Sequence, residues 1–321
     1  MRFSLRRALI AIALLLAIAP VLTQDAFYQR IAALVVLAAI SASAWNVIGG
    51  YAGQVSFGHS VYFGIGGYAA LLAFTKLGLP PIAGAPLGIL ASFVLSAIVG
   101  LPSFRLRGHY FSMATIAIAA LAELLVTNWG YVGGAIGLMG PATPRSPADL
   151  LFRSPLPYYA IFLVVLAALL ILTWRMERSR MGFYLRAIGS GEPAAESLGV
   201  PVRRYKLYAL FISGAFTALA GSLYAVMIGF IDPDSGFGIL VSVNMVVMAA
   251  LGGAGTLFGP LVGAIILVPL EETTNAMLGG GGTGAAYVAY GVIIMLIARF
   301  SPGGLAQFVP RIAARKTERA A

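Results

Sequence analysis

Between two apolar stretches the chain reads Trp45-Asn46-Val47-Ile48-Gly49-Gly50-Tyr51-Ala52-Gly53-Gln54-Val55-Ser56-Phe57-Gly58-His59-Ser60. Asn46, Gln54, Ser56, His59 and Ser60 bring amide, hydroxyl and imidazole groups to the depth or edge of hydrocarbon. Such groups are expensive against lipid, so they must face other helices or a cavity. Two uses fit: hydrogen bonds that tie helices together, or the lining of a solute pathway. Asn244, inside a later apolar stretch, offers an interhelical hydrogen bond or the same lining role. Glu123, Glu271 and Glu272 fall near the ends of apolar runs, where an interfacial carboxylate can reach water.

A second region, 175–206, is polar and basic. Within it Gly191-Glu192-Pro193-Ala194-Ala195-Glu196-Ser197-Leu198-Gly199-Val200-Pro201 reads as a short helix over 193–199. Pro193 suits a first helical position, where its missing N–H would be unpaired anyway. Glu192 sits beside the positive N-terminal end. Gly199 followed by Pro201 is a stop signal. Ala194, Ala195 and Leu198 share a face by three- and four-residue spacing. That face can dock into a partner, or the helix can lie on anionic head groups; basic flanks serve both.

Several chemistries are excluded. The chain has no cysteine, so disulfides, thiol catalysis and thiolate metal sites are absent. His59 and His109 stand far apart with no acidic cluster around them, so no metal site is expected. A phosphate-binding loop needs Gly-Lys-Ser/Thr, and none of Lys76, Lys206 and Lys316 follows a glycine. No serine–histidine–acid or paired-carboxylate arrangement suggests an enzyme.

The elements that hold these residues are apolar. Of 321 residues, 60% are hydrophobic and 10% charged, whereas a soluble domain carries about 25% charge. Runs of spanning length, about 20 residues, fall near 8–22, 31–48, 57–75, 82–101, 110–127, 158–174, 207–230, 239–256, 258–277 and 285–300. This predicts an all-α polytopic membrane protein of about ten helices. The start (Arg2, Arg6, Arg7, then Ala8–Leu22) also matches a secretory signal; a retained first span keeps the topology in register. With the N-terminus inside, Arg2, Arg6, Arg7, Arg105, Arg107, seven basic residues of 175–206 and five of the tail lie on one side, seventeen in all. Four, namely Arg30, Lys76, Arg145 and Arg153, lie on the other. That asymmetry obeys the positive-inside rule, puts both termini in the cytoplasm, and explains the +10 charge without nucleic acid. Glycines recur at four-residue spacing, as in Gly255/Gly259/Gly263, which lets helix backbones approach closely in lipid.

Taken together these stretches resemble the permeases of branched-chain amino-acid ATP-binding-cassette (ABC) transporters. Gly53-Gln54-Val55-Ser56-Phe57-Gly58-His59-Ser60 with Phe63-Gly64-Ile65-Gly66-Gly67-Tyr68 is similar to that family's GQ-x-S-x-GH…FGIGAY stretch. Arg186-Ala187-Ile188, Glu192 to Val200 and Arg204-Tyr205-Lys206-Leu207 match its RAI…E-x-AAE-x-x-GI…RYKL loop. Ala218-Leu219-Ala220-Gly221-Ser222-Leu223-Tyr224-Ala225 and Leu251-Gly252-Gly253-Ala254-Gly255-Thr256-Leu257-Phe258-Gly259-Pro260 match LAG-x-LYA and LGG-x-G-[ST]-x-x-GP. Pro193 departs from the family, which often has an aliphatic residue there.

The resemblance implies a type II importer fold forming one permease domain over 1–321. Its parts are an N-terminal span and flank at 1–30, a core at 31–300, a coupling loop at 175–206 and a tail at 301–321. It implies a bacterial inner-membrane subunit paired with a sister permease chain, two cytoplasmic ATP-binding subunits and an external substrate-binding protein. ATP and Mg would sit on the partners, and this chain would bind no cofactor. Glu192, Pro193, Ala194, Ala195, Glu196, Leu198 and Gly199 would form the coupling helix, and import would proceed by alternating access. The family also includes urea and short-amide importers. An ion-coupled secondary transporter, which would need carboxylates deep in the membrane, and a passive solute channel are the rival classes.

Overall fold

The computed structural model describes residues 25–106, 108–140, 149–277 and 291, 292 and 295. The predicted span 8–22, the tail 301–321 and most of 285–300 lie outside them. Seven helices among the described residues are long and apolar enough to cross a membrane.

Helix α1 (Ala26–Asn46) starts where the Asp25 carboxylate accepts the Phe27 N–H at 2.8 Å, the usual N-cap exchange. It passes into one wide turn, Val47–Tyr51, and the chain then runs without helix to Gly58. Then come α2 (His59–Leu77), α3 (Pro81–Ser103), α4 (His109–Thr127) and α5 (Leu156–Glu177). Two short helices follow, α6 (Arg180–Ser190) and α7 (Glu192–Ser197). Helix α8 (Val202–Ile228) is 27 residues long, about 40 Å at 1.5 Å per residue. Asp232 and Ser235 cap each other at the start of α9 (Pro233–Phe237), and α10 (Ile239–Gly252) and α11 (Gly259–Met277) complete the described chain. A two-residue antiparallel pairing, Leu138 with Ile231 and Met139 with Phe230, joins two loops.

Because each long helix reverses the direction of the last, the connections sort to two ends. One end holds 47–58, 104–106, α6 and α7, and the turn 253–258. The other holds 78–80, 128–140 and 229–238. The first is the basic end of the sequence-based topology.

Helix α8 packs against α1, α2 and α3, while α1 is enclosed by α5, α8, α10 and α11. Small residues make this possible. An added Cβ at Gly66 would stand 1.8 Å from the Ala218 carbonyl oxygen, and one at Gly221 would stand 1.9 Å from that of Phe63. The α2–α8 crossing is therefore backbone against backbone, the contact lipid-immersed helices use where hydrophobicity gives no drive to associate. Outward faces of α3 and α4 expose Leu90, Val94, Ile98, Met113, Leu121 and Leu125, a surface suited to lipid or to another membrane chain.

Candidate functional site

At the basic end, the break between α1 and α2 leaves backbone groups that a helix would have paired, and side chains take them over. Trp45 Nε1 donates to the Ser56 carbonyl at 2.7 Å, the Phe57 N–H donates to Thr115 Oγ1 at 3.0 Å, and Ser112 Oγ donates to the Val55 carbonyl at 2.7 Å. Non-helical backbone at membrane depth is tolerated where protein satisfies it in this way.

The polar side chains of the segment point into the bundle. The Asn46 Nδ2 donates to the Thr256 carbonyl at 2.9 Å and its Oδ1 accepts the Gly255 N–H at 2.8 Å. That amide locks the end of α1 to the α10–α11 turn. His59 is fully buried, with Nδ1 3.2 Å from Ser56 Oγ and Nε2 2.7 Å from Ser213 Oγ. Ser213 in turn donates to the Ala44 carbonyl at 2.7 Å, so it accepts from His59, which puts a proton on Nε2. The Ser60 N–H donates to Ser242 Oγ at 2.7 Å, and Asn244 lies half-buried nearby in sequence on the same helix, α10. Burial alternates along this stretch: Gln54 and Ser56 are buried, while Gly53 and Val55 are exposed and Phe57 half-exposed. The hydrogen-bonding use of these polar groups is what the contacts display.

Gln54 extends the network to the 175–206 loop. Its Nε2 donates to Glu192 Oε1 at 2.8 Å, and Lys206 Nζ bonds to the same oxygen. Lys206 is 0% exposed, with its ammonium 5.7 Å from the Phe104 ring. A buried lysine is held only by such pairing. Close by, Tyr51 donates to Glu177 Oε1 at 2.9 Å, and Arg186 pairs with the same oxygen at 2.9 Å. Neither Lys206 nor the Tyr51–Glu177–Arg186 group was expected. The one signal for Lys206 is its position, a cation entering an apolar run that a mere head-group anchor need not enter.

The loop itself corrects the expected docking face. It folds as two helices, α6 and α7, and α7 ends at Ser197, with Gly199 at φ 80° beyond it. That left-handed backbone suits glycine. Ala195 is 1% exposed and packs with Leu185, Ile188, Val200 and Val202 of its own chain. Pro193, Ala194, Glu196 and Leu198 face outward, Leu198 at 82% exposure. The expected face of Ala194, Ala195 and Leu198 is thus divided: the chain's own core takes Ala195. Glu192 stands in the first turn of α7, as expected, and Lys206 pairs with its carboxylate.

Many apolar helices, an apolar outer surface and a polar, ion-paired basic end define a multi-pass helical membrane protein. Residues 27–298 match the family described as branched-chain amino acid transport system, permease component, and the chain belongs to that family. It is 29% identical over 269 residues to the high-affinity branched-chain amino acid transport system permease protein LivM of Escherichia coli K12, covering 73% of this chain and 62% of LivM. It is 26% identical over 291 residues to the permease protein BraD of Pseudomonas aeruginosa, named for the same kind of system, covering 83% and 90%. It is also 29% identical over 198 residues to the autoinducer 2 import system permease protein LsrC of Enterobacter sp. strain 638, covering 58% and 55%. Among solved structures, PsaBC from Streptococcus pneumoniae in complex with Fab overlays at TM-score 0.47 and 19% identity, covering 90% of this chain and 96% of that one, a likeness too slight to bear on mechanism.

Proposed function

We propose that this chain is the membrane-spanning subunit of an ABC importer that moves branched-chain or related amino acids inward by ATP-driven alternating access. Family membership supports the class of transporter. The observation that carries the mechanism is the basic end, where the short helix α7 stands outside the bundle with Leu198 exposed and is tied through Glu192 to the break between α1 and α2. A large apolar side chain held out on a basic loop suits a partner's cleft. In this reading a sister permease chain completes the pathway and two ATP-binding subunits seat on α7. A substrate-binding protein approaches the opposite end, about ten spans cross a bacterial inner membrane, and both termini are cytoplasmic.

The pathway is assigned to the segment 52–58. Val55 and Phe57 would face it, while Gln54, Ser56, His59 and Ser60 hold the segment from behind, and Asn46 and Asn244 brace it from α1 and α10. Rigid-body rocking of packed helices would open each side in turn.

The test is uptake by liposomes containing the assembled complex, with labelled leucine, urea and an aromatic amino acid compared. Leucine accumulation that needs ATP and survives a protonophore is expected. Accumulation driven by a proton gradient, or leakage through this chain without the ATP-binding subunits, would replace the reading with a secondary transporter or a channel.

A further inference from the structure

The break between α1 and α2 and the short helix α7 belong to separate parts of the sequence, yet one carboxylate holds both. Glu192 Oε1 takes the Gln54 amide at 2.8 Å and the Lys206 ammonium. All three side chains are withdrawn from solvent: Gln54 and Lys206 are buried, and the Glu192 side chain is 12% exposed. The preceding helix α6 also touches the segment, since a Cβ at Gly53 would stand 3.1 Å from the Gly189 Cα. About two turns further along α8, Ser213 holds the same segment through His59 and Ser56. In a low-dielectric setting a hydrogen bond to a charged group is stronger than a neutral one and lost with greater penalty.

We infer that Glu192 is a positioning residue that links α7 to the broken segment, so that a push on α7 shifts residues 52–58 with it. Lys206 keeps the carboxylate aimed, and Gln54 is the point where the displacement enters the segment. This inference rests on the permease reading above. It assigns the transmission step to one hydrogen bond, where a general packing of the loop against the bundle would spread it over many contacts.

The test uses the complete complex in liposomes, with leucine-loaded receptor as the stimulus. It reads assembly, basal ATP hydrolysis, receptor-stimulated hydrolysis and uptake. Gln54→Leu removes the donor and leaves the Glu192–Lys206 pair intact. It should assemble and hydrolyse ATP at the basal rate, lose stimulation, and take up leucine about tenfold more slowly, within the range of ordinary coupling factors. The double variant Glu192→Gln with Lys206→Met removes both charges yet leaves a carbonyl for the Gln54 amide. It should retain stimulated uptake within roughly threefold, as apolar replacement of a whole buried pair is tolerated. Normal stimulation and uptake in Gln54→Leu overturn the inference. Should Gln54→Leu fail to assemble, Glu192→Leu with Lys206→Met, which removes the acceptor, decides: assembled and uncoupled supports the link, assembled and stimulated overturns it. A wild-type complex without ATP-driven uptake instead brings down the permease reading, and the inference with it.

Discussion

Replacing Gly221 by alanine should force α2 and α8 apart. The new Cβ would stand 1.9 Å from the Phe63 carbonyl oxygen, where contacts under 3.0 Å essentially never occur. The obstacle is backbone, so no rotamer change relieves it, and the helices must separate locally by about 1.1 Å, the shortfall from normal contact. Beside it, Ser222 Oγ donates to the Gly66 carbonyl at 2.8 Å; the same separation would stretch that bond towards 3.9 Å, roughly the point where it ceases to be one. Overpacking of this kind costs about 1–3 kcal/mol, and an interhelical hydrogen bond in a membrane protein contributes about 0.6 kcal/mol. The loss should be about 2–4 kcal/mol, read as the shift in reversible unfolding in mixed detergent and dodecyl sulfate micelles. Gly130→Ala is the control, because nothing lies within 4 Å of its added Cβ and its effect should stay within about 0.5 kcal/mol. Equal stability of the two variants would refute the backbone-contact account of the crossing.

Asn46→Leu should destabilise the fold by about 1–3 kcal/mol in the same assay, since it strands the Gly255 N–H and Thr256 carbonyl in the interior. Ala195→Trp and Leu198→Asp should part company: the first should lower the yield of folded chain because Ala195 is enclosed by its own core, the second should leave folding intact and abolish capture of ATP-binding subunits. Gly199→Val should cost about 1–2 kcal/mol by forcing a branched residue to φ 80°, measurable as a lower melting temperature in detergent. With no native cysteine present, Ser154→Cys should react with a membrane-impermeant maleimide from outside intact cells and Ser197→Cys should not; the opposite pattern would invert the topology.

The positions of the long helices were legible because lipid imposes a simple rule: about 20 apolar residues between polar ends. The run expected at 82–101 became Pro81–Ser103, and that at 110–127 became His109–Thr127. The glycine-rich turn at 252–255 does separate two helices, α10 and α11. The expected spans at 8–22 and 285–300 lie wholly or largely outside the described residues, so the count of about ten rests on sequence alone. What the sequence concealed were facings within polar segments. The side of the 52–58 stretch on which Gln54 and Ser56 lie depends on the irregular backbone between the wide turn and α2, with Gly53 at φ 67°. The burial of Ala195 depends on Leu185 and Val202, brought in by α6 and α8. Lys206 looked like one more basic flank residue because its partner Glu192 stands fourteen residues away, outside the spacing of any single helix. Small β pairing between Leu138 and Ile231 joins loops ninety-three residues apart and left no local pattern.

The account turns on what meets Leu198. A photo-crosslinker attached at Leu198→Cys, the sole cysteine of the chain, in the complex assembled in membranes should label an ATP-binding subunit in high yield. Labelling of lipid alone, with ATP-binding subunits present and bound elsewhere, would make α7 a membrane-surface helix and contradict the coupling assignment.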